Sequence, residues 1–171
     1  MSTVAIVGAG PLGRWLALAA TRAGFRVLLE DVMPSNLHHA QEQIRAALGP
    51  DALPAVHFVS TIEDAVRPAD LVIDCVPDEL ESKLEILWLL DRMAPPHAVF
   101  ATPTTRLSIA DLASCTYRES QCIAMEAEAA ALSQGAAHMR LRRAPATSDA
   151  TTQQVGAFWR ALGFQVEVLS V

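Results

Sequence analysis

The chain has 171 residues, 51% of them hydrophobic, and a formal net charge of −6, a size that suits one domain built around one core. Without a lysine or arginine run it offers no electrostatic footprint for nucleic acid or for an anionic membrane surface. No apolar run approaches the roughly 18 residues that span a bilayer, and Met1 leads straight into a strand rather than into a charged signal-peptide start.

Thr3–Val7 is an unbroken apolar and β-branched run, as expected of a central parallel strand covered on both faces. It stops at Gly8. Residues 11–23 have helical spacing, with Leu12, Leu16 and Ala19 or Ala20 on one stripe, proline in the first turn and Gly24 at the C-cap position. Strands are expected over 25–29, 55–59 and 71–76. Helices are expected over 35–48, from the capping-box-like Thr61-Ile-Glu-Asp, and over 79–93. A strand over 98–102, a short helix over 108–113, strands over 121–125 and 138–142, a helix over 148–162 and a strand over 164–169 complete the pattern. The alanine-rich stretch 126–137 fits neither period. Such alternation predicts a single α/β domain over 1–171 with a doubly wound, mostly parallel sheet.

Between the first strand and the first helix stands Gly8-Ala9-Gly10-Pro11-Leu12-Gly13. The turn from strand to helix needs one glycine, close approach to a pyrophosphate a second, and helix-to-strand packing a third. Glu30-Asp31 closes the second strand, where a carboxylate accepts hydrogen bonds from ribose hydroxyls and repels a 2′-phosphate. Together these features predict a Rossmann-type site for NAD rather than NADP. Arg14 and Arg26 read as solvated charges. The cysteines Cys75, Cys115 and Cys122 are odd in number and form no Cys-x-x-Cys pair, which points to free thiols in a reducing, cytoplasmic setting. All three read as core residues, and Cys75, at the end of the fourth strand near the cofactor crevice, is the one to test for reactivity. His38, His39, His57 and His97 have no motif around them.

The runs VAIVGAGPLGRWLALAATRAGFRVLLED, LVIDCVPDELESK, ILWLLDRMAPPHAVFATPTTRLSIADLA and RAPATSD resemble the NAD-binding domain of the 3-hydroxyacyl-CoA dehydrogenases. The resemblance covers essentially the whole chain. It implies an NAD-dependent oxidoreductase acting on a hydroxyl or carbonyl of a small substrate or of one carried on CoA or an acyl carrier. In that family a helical carboxyl-terminal domain follows and completes the acyl-CoA site. Its absence from this sequence implies a homo-oligomer, or a partner protein, covering the face it would occupy.

Matched to the family's motifs, the Val-Pro-Glu segment near the nicotinamide end becomes Val76-Pro77-Asp78, and the lysine five residues on becomes Lys83. The family's Asn-Thr-Ser-Ser becomes Pro103-Thr104-Thr105-Arg106, so Thr105 keeps the hydroxyl that meets cofactor and substrate, while Pro103 lacks the amide. Gly-Met-His-Phe-Phe-Asn-Pro becomes Ala124-Met125-Glu126-Ala127-Glu128-Ala129-Ala130, with Glu126 in place of the catalytic histidine and Ala129 in place of the asparagine. Where the family's histidine-orienting glutamate stands, the gapless match gives His138. The resemblance thus implies an exchanged carboxylate and imidazole in contact, with Glu126, His138 and Thr105 polarising the reacting oxygen. A carboxylate with an ordinary pKa of about 4.3 is a poor base for an alcohol at neutral pH. Two alternatives therefore stand beside the oxidoreductase: an NAD(H)-binding module or partner subunit without chemistry, and an enzyme that uses bound NAD transiently without net redox.

Overall fold

Strands and helices alternate along the chain as β1 (Thr3–Val7), α1 (Pro11–Arg22), β2 (Arg26–Glu30), α2 (Pro34–Leu48), β3 (Val56–Val59), α3 (Ile62–Val66), β4 (Leu71–Asp74), α4 (Leu80–Met93) and β5 (Val99–Pro103). They continue as α5 (Ile109–Ala113), β6 (Cys122–Met125), α6 (Ala129–Ser133), β7 (His138–Arg143), α7 (Asp149–Ala161) and β8 (Gln165–Ser170). This computed structural model describes residues 2–171, so the reading of Met1 lies outside the described residues. The eight strands make one sheet in the order β3-β2-β1-β4-β5-β6-β7-β8, and among its pairings only β6 with β7 is antiparallel. The expected doubly wound α/β fold is present.

Local chemistry accounts for most boundaries. Thr61 caps α3 by accepting a hydrogen bond from the Asp64 amide, and Ser108 and Ser148 cap α5 and α7 in the same way. The fourth strand stops at Asp74 rather than at Val76. Cys75 makes the last rung, its amide donating to the Val7 carbonyl at 2.7 Å, and Pro77 has no amide to offer. Pro50–Ala55, with prolines at both 50 and 54, forms a 3-10 segment that periodicity does not signal. The ambiguous alanine-rich stretch holds the short helix α6, which ends at Gly135 with φ +87°.

Both faces of the sheet are covered. On one face Val4, Ile6, Leu29 and Met125 pack with Leu16, Ile44 and an aromatic group in which Trp15 stacks on Trp159 at 6.3 Å and Phe164 meets Trp159 edge-on at 4.9 Å. On the other, Val7, Val72 and Phe100 pack with Val66, Leu87 and Leu112. Between these layers the parallel strands bring the carboxyl ends of β1, β4, β5 and β6 to one edge, which is where ligands bind in such sheets.

Candidate functional site

The turn after β1 is built by its glycines. Gly8 sits at φ +104° and its amide donates to the Glu30 carbonyl at 2.8 Å, extending the ladder one residue past the strand. A Cβ at Gly13 would stand 1.8 Å from the Gly8 carbonyl oxygen, so that position is closed to any side chain. Gly10 is the opposite case, with nothing within 4 Å of where its Cβ would be. It opens α1 without a side-chain cap or an acidic residue in the first turn, leaving the helix amides free for an anion. The Asp31 carboxylate marks the lip of this turn. Oδ2 accepts from the Ala9 amide at 2.8 Å and from Asn36 Nδ2 at 3.1 Å, and Oδ1 accepts from the Met33 amide at 2.8 Å. A cradle open in front of Gly10, free helix amides and a fixed carboxylate suit a dinucleotide with a free 2′-hydroxyl, which is NAD. Glu30 is buried next to Asp31, and burial first, then the Asp31 charge, raises its carboxyl to about 7.

Beyond the turn lies a crevice of about 300 Å³ whose walls include Leu12, Cys75, Val76, Asp78, Thr104 and Thr105. Asp78 and Thr105, far apart in sequence, meet there: the Thr105 amide donates to Asp78 Oδ2 at 3.4 Å, and Arg106 Nη2 donates to the Asp78 carbonyl at 3.1 Å. Asp78 Oδ1 is buried with no hydrogen-bond partner. Val76 also lines a second groove of about 320 Å³ with Pro77, Ile62 and Ile86. Cys75 lies in the crevice wall, where burial raises its thiol above the ordinary range and disfavours the reactive thiolate, in keeping with a core residue.

Lys83 requires a correction. Rather than facing a cofactor, its ammonium is fully buried and pairs with Asp74 Oδ1 at 2.6 Å, both side chains being at most 1% exposed. α4 starts at Leu80, so Lys83 falls on the same stripe as Ile86, Leu87 and Leu90 and points into the sheet. Burial raises the Asp74 carboxyl, against the pull of Lys83 and of Thr102 beside it. The pair pins the segment that carries Val76, Pro77 and Asp78.

Glu126 and His138 do not meet. The antiparallel register sets Met125 opposite Leu141 and Ala124 opposite Arg142, so Arg140, not His138, lies across from Glu126, and the Glu126 amide donates to the Arg140 carbonyl at 2.9 Å. The Glu126 carboxylate lies 3.3 Å from Arg140 Nη1 and 3.5 Å from Arg142 Nε. His138 is exposed at the start of β7 and makes no side-chain hydrogen bond among the described residues. Arg140, Arg142 and Asp74 are the site neighbours that sequence reasoning missed. The alternation His-Met-Arg-Leu-Arg in β7 already sets both arginines on one face, and the missing information was the pairing direction. Among the described residues no group of three or more His, Cys, Asp or Glu is placed to hold a metal ion, and no helix is long and apolar enough to cross a membrane.

Residues 3–169 match the model of the 3-hydroxyacyl-CoA dehydrogenase NAD-binding domain. The chain is 30% identical over 135 residues to a probable 3-hydroxybutyryl-CoA dehydrogenase of Bacillus subtilis, covering 71% of this chain and 47% of that protein. It is 30% identical over 179 residues to a 3-hydroxybutyryl-CoA dehydrogenase of Bradyrhizobium diazoefficiens, covering 96% of this chain and 60% of that one. Among solved structures, the 3-hydroxyacyl-CoA dehydrogenase of Archaeoglobus fulgidus superposes with a TM-score of 0.86 at 26% identity, covering 99% of this chain and 57% of that one. The chain spans about half the length of the curated relatives it matches. With the open glycine turn, the anchored Asp31 and the crevice between Asp78 and Thr105 in place, the chain belongs to the 3-hydroxyacyl-CoA dehydrogenase family through its NAD-binding domain.

Proposed function

We propose that this protein is an NAD(H)-dependent oxidoreductase that interconverts a hydroxyl and a carbonyl on a small substrate or on an acyl group carried by CoA or an acyl carrier. The observation that carries the reading is the convergence of Asp78, with its unpartnered Oδ1, and Thr105 on a crevice that adjoins the dinucleotide turn. NAD supplies hydride exchange when bound there. Gly8, Gly10, Pro11, Leu12, Gly13 and Asp31 hold the dinucleotide, while Val76, Pro77 and Asp78 border its nicotinamide end. The Thr105 hydroxyl donates to the reacting oxygen, and the Glu126 carboxylate, in long contacts with Arg140 and Arg142, takes up the alcohol proton on oxidation and returns it on reduction. His138 has no part in this reading. A second copy of the chain, or a partner protein, covers the crevice and excludes water, and the protein works in the cytoplasm.

The loss of the imidazole at position 126 favours one other reading, an NAD(H)-binding subunit without chemistry of its own. One experiment separates the two: calorimetric titration with NAD and NADH, then a panel of 3-hydroxyacyl-CoA thioesters and free 3-hydroxy acids followed by NADH absorbance. Binding with turnover is the expected result. Binding without turnover for any compound overturns the oxidoreductase in favour of the subunit.

A further inference from the structure

Arg142 is 13% exposed, yet its guanidinium makes one hydrogen bond, from Nη2 to the Thr104 carbonyl at 2.7 Å. Nε is buried with no hydrogen-bond partner. The nearest acceptor, Glu126 Oε1, is 3.5 Å away, well beyond the 2.7–2.9 Å of a good charge-assisted bond. The other carboxylate of the cluster, Glu167, lies against Arg140 at 3.4 Å. A guanidinium presents its donors in a planar fork, and leaving the buried Nε donor unmet is costly. The fork reaches the carbonyl of Thr104, one residue from Thr105, in the wall of the crevice where the reaction is placed.

We propose that Arg142 is a specificity-determining residue that binds a carboxylate of the substrate, so that the site takes small hydroxy or oxo acids with a free acid group. The proposal rests on the oxidoreductase reading and deepens it. The incoming carboxylate takes the Nε side of the fork at hydrogen-bonding distance, and Glu126 gives way because its contacts with Arg142 and Arg140 are both long. Arg140 supplies a second positive charge at the rim, partly offset by Glu167. A thioester has no negative charge to offer at this point, and neutral analogues lose the fork's two-point geometry.

The test is calorimetric titration of the NADH-loaded protein with 3-hydroxybutyrate and with the uncharged 3-hydroxybutyramide. The expected result is at least tenfold tighter binding of the acid, loss of that preference in Arg142→Met with NADH affinity retained, and tighter acid binding in Glu126→Gln, which removes the competing carboxylate. Arg142→Lys keeps the charge without the fork and is expected to show a reduced preference, so it serves where Arg142→Met fails to fold. Equal affinity for acid and amide, a preference that survives in Arg142→Met, or binding of neither compound overturns the proposal. NADH absorbance keeps this separate from the parent reading. Acid binding without NADH formation from any substrate sinks the oxidoreductase alone, whereas turnover of neutral substrates as fast as acids sinks the anion site alone.

Discussion

The Ala9 amide, inside the glycine turn, donates to Asp31 Oδ2 across 2.8 Å, tying the end of β2 to the start of α1. One carboxylate therefore shapes the glycine turn, and on the proposed reading it also faces the ribose of the dinucleotide. Replacing it in Asp31→Ala removes an acceptor of three hydrogen bonds. Each hydrogen bond to a charged group contributes about 1.5–3 kcal/mol. NAD affinity is expected to fall tenfold or more and the preference over NADP to narrow, as read by parallel titrations with both nucleotides. Unchanged affinities for both would refute the ribose assignment.

Two glycines of the same turn are expected to respond in opposite ways to alanine. At Gly10 the added methyl enters open space at φ −70°, which suits alanine, so Gly10→Ala should melt within about a degree of the unmodified protein and yet bind NAD poorly. At Gly13 the methyl would collide with the Gly8 carbonyl at 1.8 Å, so Gly13→Ala should lose folding stability whether or not nucleotide is added. Differential scanning calorimetry with and without NAD distinguishes them.

Lys83→Met leaves the Asp74 carboxylate buried and unpaired, which costs about 3–5 kcal/mol. Adding Asp74→Asn removes the orphaned charge, and the double variant is expected to recover much of the loss in urea denaturation. Equal instability of the single and double variants would show that packing, not charge, dominates at this place.

Glu30 links stability to pH. Its folded value of about 7 exceeds its ordinary value of 4.5. A carboxyl raised in the folded state favours folding fully below the unfolded value, and the benefit fades as pH rises through the folded one. Stability of the unmodified protein is thus expected to fall between about pH 4.5 and pH 7. Glu30→Gln should be insensitive over that window and more stable by about 1–2 kcal/mol at pH 8, a discounted share of the 1.4 kcal/mol per pK unit. Melting curves at pH 4.5 and pH 8 check this.

What could be read in advance was what depends on near neighbours in the chain. The Gly8-to-Gly13 turn and the Thr61 cap act through backbone within a few residues, and each stands where expected. Lys83 was visible as a charge but not as a buried one, because its orientation depends on the residue at which α4 begins and on Asp74 at the end of β4 beneath it. The partner of Glu126 was out of reach. It depends on β7 running against β6 and on how much chain α6 and its turn consume, and a difference of two residues exchanges His138 for Arg140.

The strand order has a consequence for how the chain emerges during synthesis. β1 lies between β2 and β4, and the Thr3 amide is held by Asp70 Oδ2 at 2.8 Å. β1 therefore has only one of its two neighbours until Leu71–Asp74 has left the ribosome. Its second edge, a row of unpaired backbone N–H and C=O groups, stays open to wrong pairing in the meantime. The later strands have no such wait, since β5 to β8 are each laid down beside the one before. Nascent chains halted before residue 71 should thus aggregate or recruit chaperones far more readily than those halted after β5, and the hazard of making this domain is concentrated in the stretch from β1 to β4.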